Sequence, residues 1–172
     1  EILIKEWKKK RISNFVLITN YELFLKYLSS KNINLKIYKT SIKDQKIDYS
    51  KNLFNIYNIN ASNDVHNSLA SLKESYHLCK KKLFIGIVTL PINKEKINNF
   101  NKKFIDQTTF FSQKDKKIIS NMIFIYKNYF FIPLTIHIRL KDVSKNFKNS
   151  KLIIDKIKSL NFTLLNDFQI NN

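Results

Sequence analysis

Glycine is almost missing from this chain of 172 residues; Gly86 is the only one. A phosphate-cradling turn needs backbone that no side chain obstructs, so neither a G-x-G-x-x-G turn nor a Walker loop can be present, and the G-x-S-x-G elbow is excluded too. Cysteine is equally scarce. Cys79 stands alone, which rules out an internal disulfide and a cysteine-based zinc centre and fits a reducing, cytoplasmic setting. Three histidines are present, with no H-E-x-x-H pattern among them. No apolar run approaches the ~18 residues that would span a bilayer, and no signal-peptide pattern opens the chain.

Acidic residues are also few: 13 against 31 Lys and Arg, a formal charge of +18. Such an excess ordinarily points to nucleic acid or an anionic surface. Here it is spread along the whole sequence, without a basic stripe, and accompanies a surplus of Asn, Ile, Phe and Tyr that suggests codons biased towards A and T. A diffuse positive surface binds polyanions weakly and in a salt-dependent way. What is there in quantity is apolar: 44% hydrophobic and 13% aromatic residues, enough for a globular core in one domain or a large part of one. The first residue is Glu1, and the helix expected over "EILIKEWKKK" begins at once with no capping residue before it, so a piece of the N-terminus is expected to be missing from this sequence.

The patterning alternates helices with short apolar strands. After the opening helix, "NFVLIT" (14–19) reads as a strand, "YELFLKYLSS" as a helix and "LKIY" (35–38) as a strand; Thr40 to Asn52 reads as a polar loop. Val65, Leu69, Leu72, Tyr76 and Cys79 recur at helical spacing and predict one apolar helix face. "LFIGIVTL" (83–90) is apolar throughout and predicts a central strand covered on both faces. "ISNMIFIYK" (119–127) and "YFFIPLTIHI" (129–138), separated by Asn128, predict a hairpin. The last helix is expected over "KLIIDKIKSLNFTLLNDF", with Ile154, Ile157, Leu160, Leu164 and Phe168 on one stripe. This alternation predicts an α/β layer fold without internal repeats.

Residues suited to chemistry are sparse. His66 and His77 lie eleven residues apart on one predicted helix, roughly 16 Å along its axis, too far to share a metal ion. His137 ends a strongly apolar strand, where open α/β sheets place ligands. The residues alone leave it between a ligand and a core histidine bonded to backbone. In "FIDQTTFFSQKDKK" (104–117), Asp106, Gln107, Thr108 and Thr109 precede Phe110 and Phe111, which taken alone reads first as an ordinary helix start.

Three blocks together carry a resemblance: "VTLPINKEKIN" (88–98), "FIDQTTFF" (104–111) and "LTIHIRLKDVSKNF" (134–147). In order and spacing they resemble the 4-hydroxythreonine-4-phosphate dehydrogenase family of vitamin B6 biosynthesis. There the first block is a strand ending in a proline, Ile-Asn-Lys turn, the second is Phe, any residue, Gly-His-Thr-Glu-Phe, and the third is a Thr-Thr-His followed by Leu-Lys-Asp-Val. The opening segment to Leu28 and "LIIDKIKSLNFTLLNDFQI" are similar to the family's flanking elements. Residues 1–172 then correspond to the family's N-terminal half, without its first glycine-rich segment and its C-terminal half.

The resemblance implies a three-layer α/β/α architecture of the isocitrate/isopropylmalate dehydrogenase type, here incomplete, with the active site between two lobes. It implies NAD or NADP as hydride acceptor, a divalent metal (Zn, Mg or Co) with His137 as one of three histidine ligands, a phosphorylated amino-acid substrate met by Gln107 and Thr108, and a homodimer. The departures lie in the second block. Gln107 replaces a histidine and can donate a hydrogen bond without carrying a proton; Asp106 replaces a glycine and Thr109 a glutamate. A catalytically inactive α/β scaffold is therefore the alternative. Nucleic-acid binding through the net charge is weaker, because no basic helix or aromatic platform accompanies it.

Overall fold

The structure, a computed structural model, describes residues 1–12, 14–43, 46–102, 104–115, 119–136, 138–148 and 150–170, and of residue 146 the backbone alone. The chain divides into two compact units, Glu1–Gln107 and Thr108–Asn172.

In the first unit, α1 (Ile2–Lys8), β1 (Leu17–Thr19), α2 (Tyr21–Ser30), β2 (Ile37–Lys43), β3 (Lys46–Asp48), β4 (Phe54–Asn58), α3 (Asp64–Lys80) and α4 (Lys94–Phe100) follow in order. The sheet runs β1-β4-β2-β3. β4 pairs in parallel with β1 (Leu17 opposite Ile56) and with β2 (Ile37 opposite Phe54), while β3 is antiparallel to β2. This is the mixed α/β arrangement that the alternating pattern predicts.

The core forms where β4 turns Phe54 and Ile56, both 0% exposed, towards Ile4 of α1 and Leu28 of α2. Phe54 meets Trp7 and Phe15 edge-on at 5.4 and 5.3 Å and stacks on Phe24 at 5.8 Å. Those two residues sit two positions apart on the strand, so period-two alternation puts them on the same face. Thr40 from β2, buried beside them, donates its hydroxyl to the Ile56 carbonyl at 2.8 Å.

Three helices end in the same way despite the lack of glycine. After α1, α2 and α3 the chain enters the left-handed region at Lys10 (φ 55°), Asn32 (φ 52°) and Lys82 (φ 59°). In each, the next N–H returns to a carbonyl five residues back: Arg11 to Glu6, Ile33 to Leu28, Leu83 to Leu78. These are Schellman closures, in which glycine normally takes the left-handed position.

The second unit contains α5 from Thr108 on (the helix as a whole spans Gln107–Lys114), the hairpin β5 (Phe124–Tyr126) and β6 (Tyr129–Phe131), α6 (Leu140–Phe147) and α7 (Ser150–Asn166). α7 touches the strand region by polar bonds: Ser159 donates to the Ile119 carbonyl at 3.2 Å, and Lys156 to that of Leu134 at 2.6 Å.

The expected central strand over Leu83–Leu90 is not formed. That segment is irregular, with Ile85 112% and Val88 92% exposed, so the expectation of a central strand covered on both faces is corrected. A run apolar on both sides is stable as a strand only when both faces are covered, and among the described residues nothing in this unit covers Ile85 and Val88. The polar stretch 40–52, expected as loop, instead holds the end of β2 and β3. The hairpin lies where expected, but each strand is only three residues long. On α3 the buried positions are Leu72, Ser75 and Leu78, so the face is rotated from the predicted stripe. The predicted stripe on α7 is not buried; Ile154 and Ile157 are exposed.

Candidate functional site

At the carboxyl end of β1, asparagines tie the parallel strands to the helices that follow them. Asn20 caps α2 by accepting from the Leu23 N–H at 3.0 Å, and its amide nitrogen donates to the Ile59 carbonyl at 3.0 Å. Asn58, the last residue of β4, accepts from the Tyr21 N–H at 2.8 Å. From α3, Asn67 accepts from the Asn20 N–H at 2.7 Å and donates to the Thr19 hydroxyl at 2.9 Å. A side-chain amide serves here because it can accept and donate at once.

Beside this lock lies a cleft of about 300 Å³ within the first unit. One wall is β1 with its preceding residue Val16. It is an edge strand, and among the described residues no backbone hydrogen bond joins it to the irregular segment 84–90. The second wall is α3, which turns Ser68, Ser71 and Ser75 inwards. Their hydroxyl protons are donated to the carbonyls of Asp64, Asn67 and Leu72 at 2.9, 2.7 and 3.0 Å. Each hydroxyl is thereby left with acceptor capacity. Burial pushes the Cys79 thiol above its ordinary range, so on this wall it is a neutral thiol and a poor nucleophile.

The third wall is the segment from Phe84 through Pro91 and Ile92, closed by Gln107. Gln107 donates from Nε2 to the Leu90 carbonyl at 2.9 Å. Asn93 then caps α4 by accepting from the Lys96 N–H at 3.0 Å, so the proline, Ile-Asn-Lys turn is pinned on both sides. The structure thus brings Gln107 together with the turn of the first block, although 17 residues separate it from Leu90.

The other expected site residues are not gathered there. Thr108 is exposed in the first turn of α5 and belongs to the second unit. His137 lies outside the described residues. His66 is hydrogen-bonded through Nδ1 to the Ser62 hydroxyl and meets Phe100 edge-on at 4.4 Å; His77 is exposed in the last turn of α3. Among the described residues no group of three His, Cys, Asp or Glu could hold a metal ion. The described residues therefore do not by themselves supply the about three protein ligands that a catalytic metal centre needs.

Sequence reasoning missed the asparagine lock and the serine face. The serines sit at spacings of three and four, a small-residue face that helical periodicity could have shown.

Comparison with known proteins covers nearly the whole chain. Residues 11–172 match the family model described as pyridoxal phosphate biosynthetic protein PdxA. The chain is also 26% identical over 170 residues to a 4-hydroxythreonine-4-phosphate dehydrogenase of Wigglesworthia glossinidia brevipalpis, a match covering 93% of this chain and 51% of that protein. It therefore spans about half the length of this relative. On the extent of the family match, the chain belongs to the family of the pyridoxal phosphate biosynthetic protein PdxA.

Proposed function

We propose that this chain supplies the substrate-side portion of a 4-hydroxythreonine-4-phosphate dehydrogenase acting in pyridoxal 5'-phosphate biosynthesis. The observation that carries the reading is the family match over residues 11–172, supported by the meeting of the Val88–Ile92 turn and Gln107 in one cleft. When bound, NAD or NADP would accept a hydride from the substrate's hydroxyl carbon. Gln107 keeps a second amide hydrogen and its oxygen for the substrate after donating to Leu90. Thr108 offers a hydroxyl at the N-terminal turn of α5, a setting that suits an anionic phosphate.

His137 is proposed as one ligand of a divalent ion, Zn, Mg or Co, whose remaining ligands are not found among the described residues. The proposal extends to the isocitrate/isopropylmalate dehydrogenase type of architecture, to a homodimer and to the cytoplasm. Among the described residues no helix is long and apolar enough to cross a membrane.

One observation favours a second reading, an inactive binding or scaffold protein. The position taken by histidine in the family holds an amide that cannot transfer a proton, and here it ties down a loop. Turnover separates the two. The chain is assayed for reduced nicotinamide with 4-phosphohydroxy-L-threonine, alone and with the part of the Wigglesworthia enzyme beyond the match. The dehydrogenase reading expects no turnover alone and turnover with the supplement, lost in His137→Ala; substrate binding without turnover in both samples supports the scaffold.

A further inference from the structure

The parallel strands β1, β4 and β2 start at one edge of the sheet, and the fold gathers at that edge cations that the sequence disperses. Lys8, Lys9, Lys10 and Arg11 lie between α1 and β1, and Lys8 donates to the carbonyl of Asn34, just before β2, at 3.0 Å. Lys31 and Lys36 lie between α2 and β2, and Lys51 precedes β4. α3 ends here too: Asn67, near its start, bonds to Thr19 at the carboxyl end of β1, while Cys79, near its end, borders the cleft with Val16, which precedes β1. Lys80, Lys81 and Lys82 follow. All ten cations are exposed. Two acids accompany them, Glu1 at 3.9 Å from Lys31 and Glu6 at 3.2 Å from Arg11, so the edge carries 10 − 2 = +8.

The other edge is neutral. After the strands come Lys43, Lys46, Glu22, Asp48 and Asp64, and α4, whose Phe100 meets His66 there, adds Lys94, Lys96 and Glu95, giving 4 − 4 = 0. A compositional bias towards lysine would load both edges alike. Helix dipoles favour cations at helix C-termini, which does not account for Lys36 and Lys51, both ahead of strands. Three strands about 4.8 Å apart, with helices packed on them, make the basic edge about 20–30 Å across.

We propose that this edge is a docking surface for the phosphate backbone of double-stranded nucleic acid, bound without regard to base sequence. All the cations but Arg11 are lysines, point charges that suit phosphate without a fork to fix orientation. A duplex carries one charge per about 1.7 Å of its axis, so a span of that width meets more than ten phosphates. Single strands are held by stacking on exposed aromatic rings, whereas Trp7 is turned onto Phe54. A membrane needs an apolar face to insert; that of α1 is spent in the core through Leu3, Ile4 and Trp7, which leaves Ile2 bare. This goes beyond the proposed activity and does not depend on it.

The test is fluorescence anisotropy of the full chain with a labelled DNA duplex of about 20 base pairs and mixed sequence, read from about 50 to 200 mM salt. About five neutralised phosphates predict a slope of log K on log salt near −4.5, an affinity loss of about 500-fold across that range. Replacing Lys9, Lys36, Lys80 and Lys81 together by Gln should flatten the slope by about 3 and weaken binding about tenfold or more. Replacing Lys141, Lys148, Lys151 and Lys158, all exposed in the second unit, removes the same charge and should weaken binding less than about threefold. In the unaltered chain, the duplex should slow acetylation of Lys36, Lys80 and Lys81 several-fold and leave Lys148 and Lys151 unchanged, a readout that does not depend on how the variants fold. A slope shallower than about −2, equal losses in the two variants, no slowing at Lys36, Lys80 and Lys81, or tighter binding to phosphatidylserine vesicles or to poly-glutamate than to the duplex would overturn the proposal.

Discussion

Replacing Asn67 by alanine tests whether the asparagine lock holds the cleft. The change removes two hydrogen bonds, from the Asn20 N–H at 2.7 Å and to the Thr19 hydroxyl at 2.9 Å. Each contributes about 1 kcal/mol, and a polar group left unsatisfied in the interior costs about 1–3 kcal/mol more. Thr19 is buried, but the cleft beside it admits water that can satisfy part of the loss. The total is then about 2 kcal/mol, a large share of the 5–15 kcal/mol that usually holds a domain together. Urea unfolding followed by Trp7 fluorescence would read it, since Trp7 packs on Phe54. With a slope of about 1–3 kcal/mol/M the midpoint should fall by roughly 1 M. A cycle with Thr19→Val should give a coupling of about 1 kcal/mol. A loss under about 0.5 kcal/mol, or no coupling, would refute the reasoning, because buried partners left unpaired cannot be that cheap.

Phe54→Ala should cost about 3–5 kcal/mol, towards the upper end because three aromatic rings lose their contact; calorimetry would show it. Lys82→Gly should stabilise the first unit by about 0.5–1 kcal/mol in urea titration, since glycine carries no penalty at φ 59°. Gly86→Ala should be close to neutral, because a Cβ there meets nothing within 4 Å and the backbone is not left-handed. Cys79 should alkylate at pH 8 several-fold more slowly in the native chain than in urea, its thiol raised by burial. Tyr57, raised by burial and by Glu74, and Tyr38, raised by its hydrogen bond to Asp48, both sit above their ordinary 10.0. The folded state then holds protons that the unfolded chain releases, so this stability is full below pH 10 and falls as pH rises further; a pH series of melting curves checks the sign.

Helical periodicity made α2, α3 and α7 legible because their apolar residues recur at three and four. Their ends were not, since Lys10, Asn32 and Lys82 occupy left-handed positions that glycine would have marked. The surplus of asparagine read as compositional bias, yet Asn20, Asn58, Asn63 and Asn67 cap helices or join strands to them. Leu83–Leu90 misled for a different reason: strand propensity is local, whereas the cover a two-faced strand needs must come from elsewhere. Of the candidate site, the turn after Val88 and Gln107 were visible through the family resemblance and share the cleft. The serine wall was not, because small polar residues leave no apolar stripe. His137, the sharpest expectation, lies outside the described residues.

The most direct test of the cleft as a substrate site is an amide chemical-shift titration of the full chain with 4-phosphohydroxy-L-threonine. The proposed function predicts saturable shifts clustered at Thr89, Leu90 and Gln107, weakened about tenfold by Gln107→Ala while the Phe54 and Ile56 signals stay in place. Shifts that are absent at millimolar substrate, that scatter over surface lysines and vanish with salt, or that survive Gln107→Ala unchanged would contradict it.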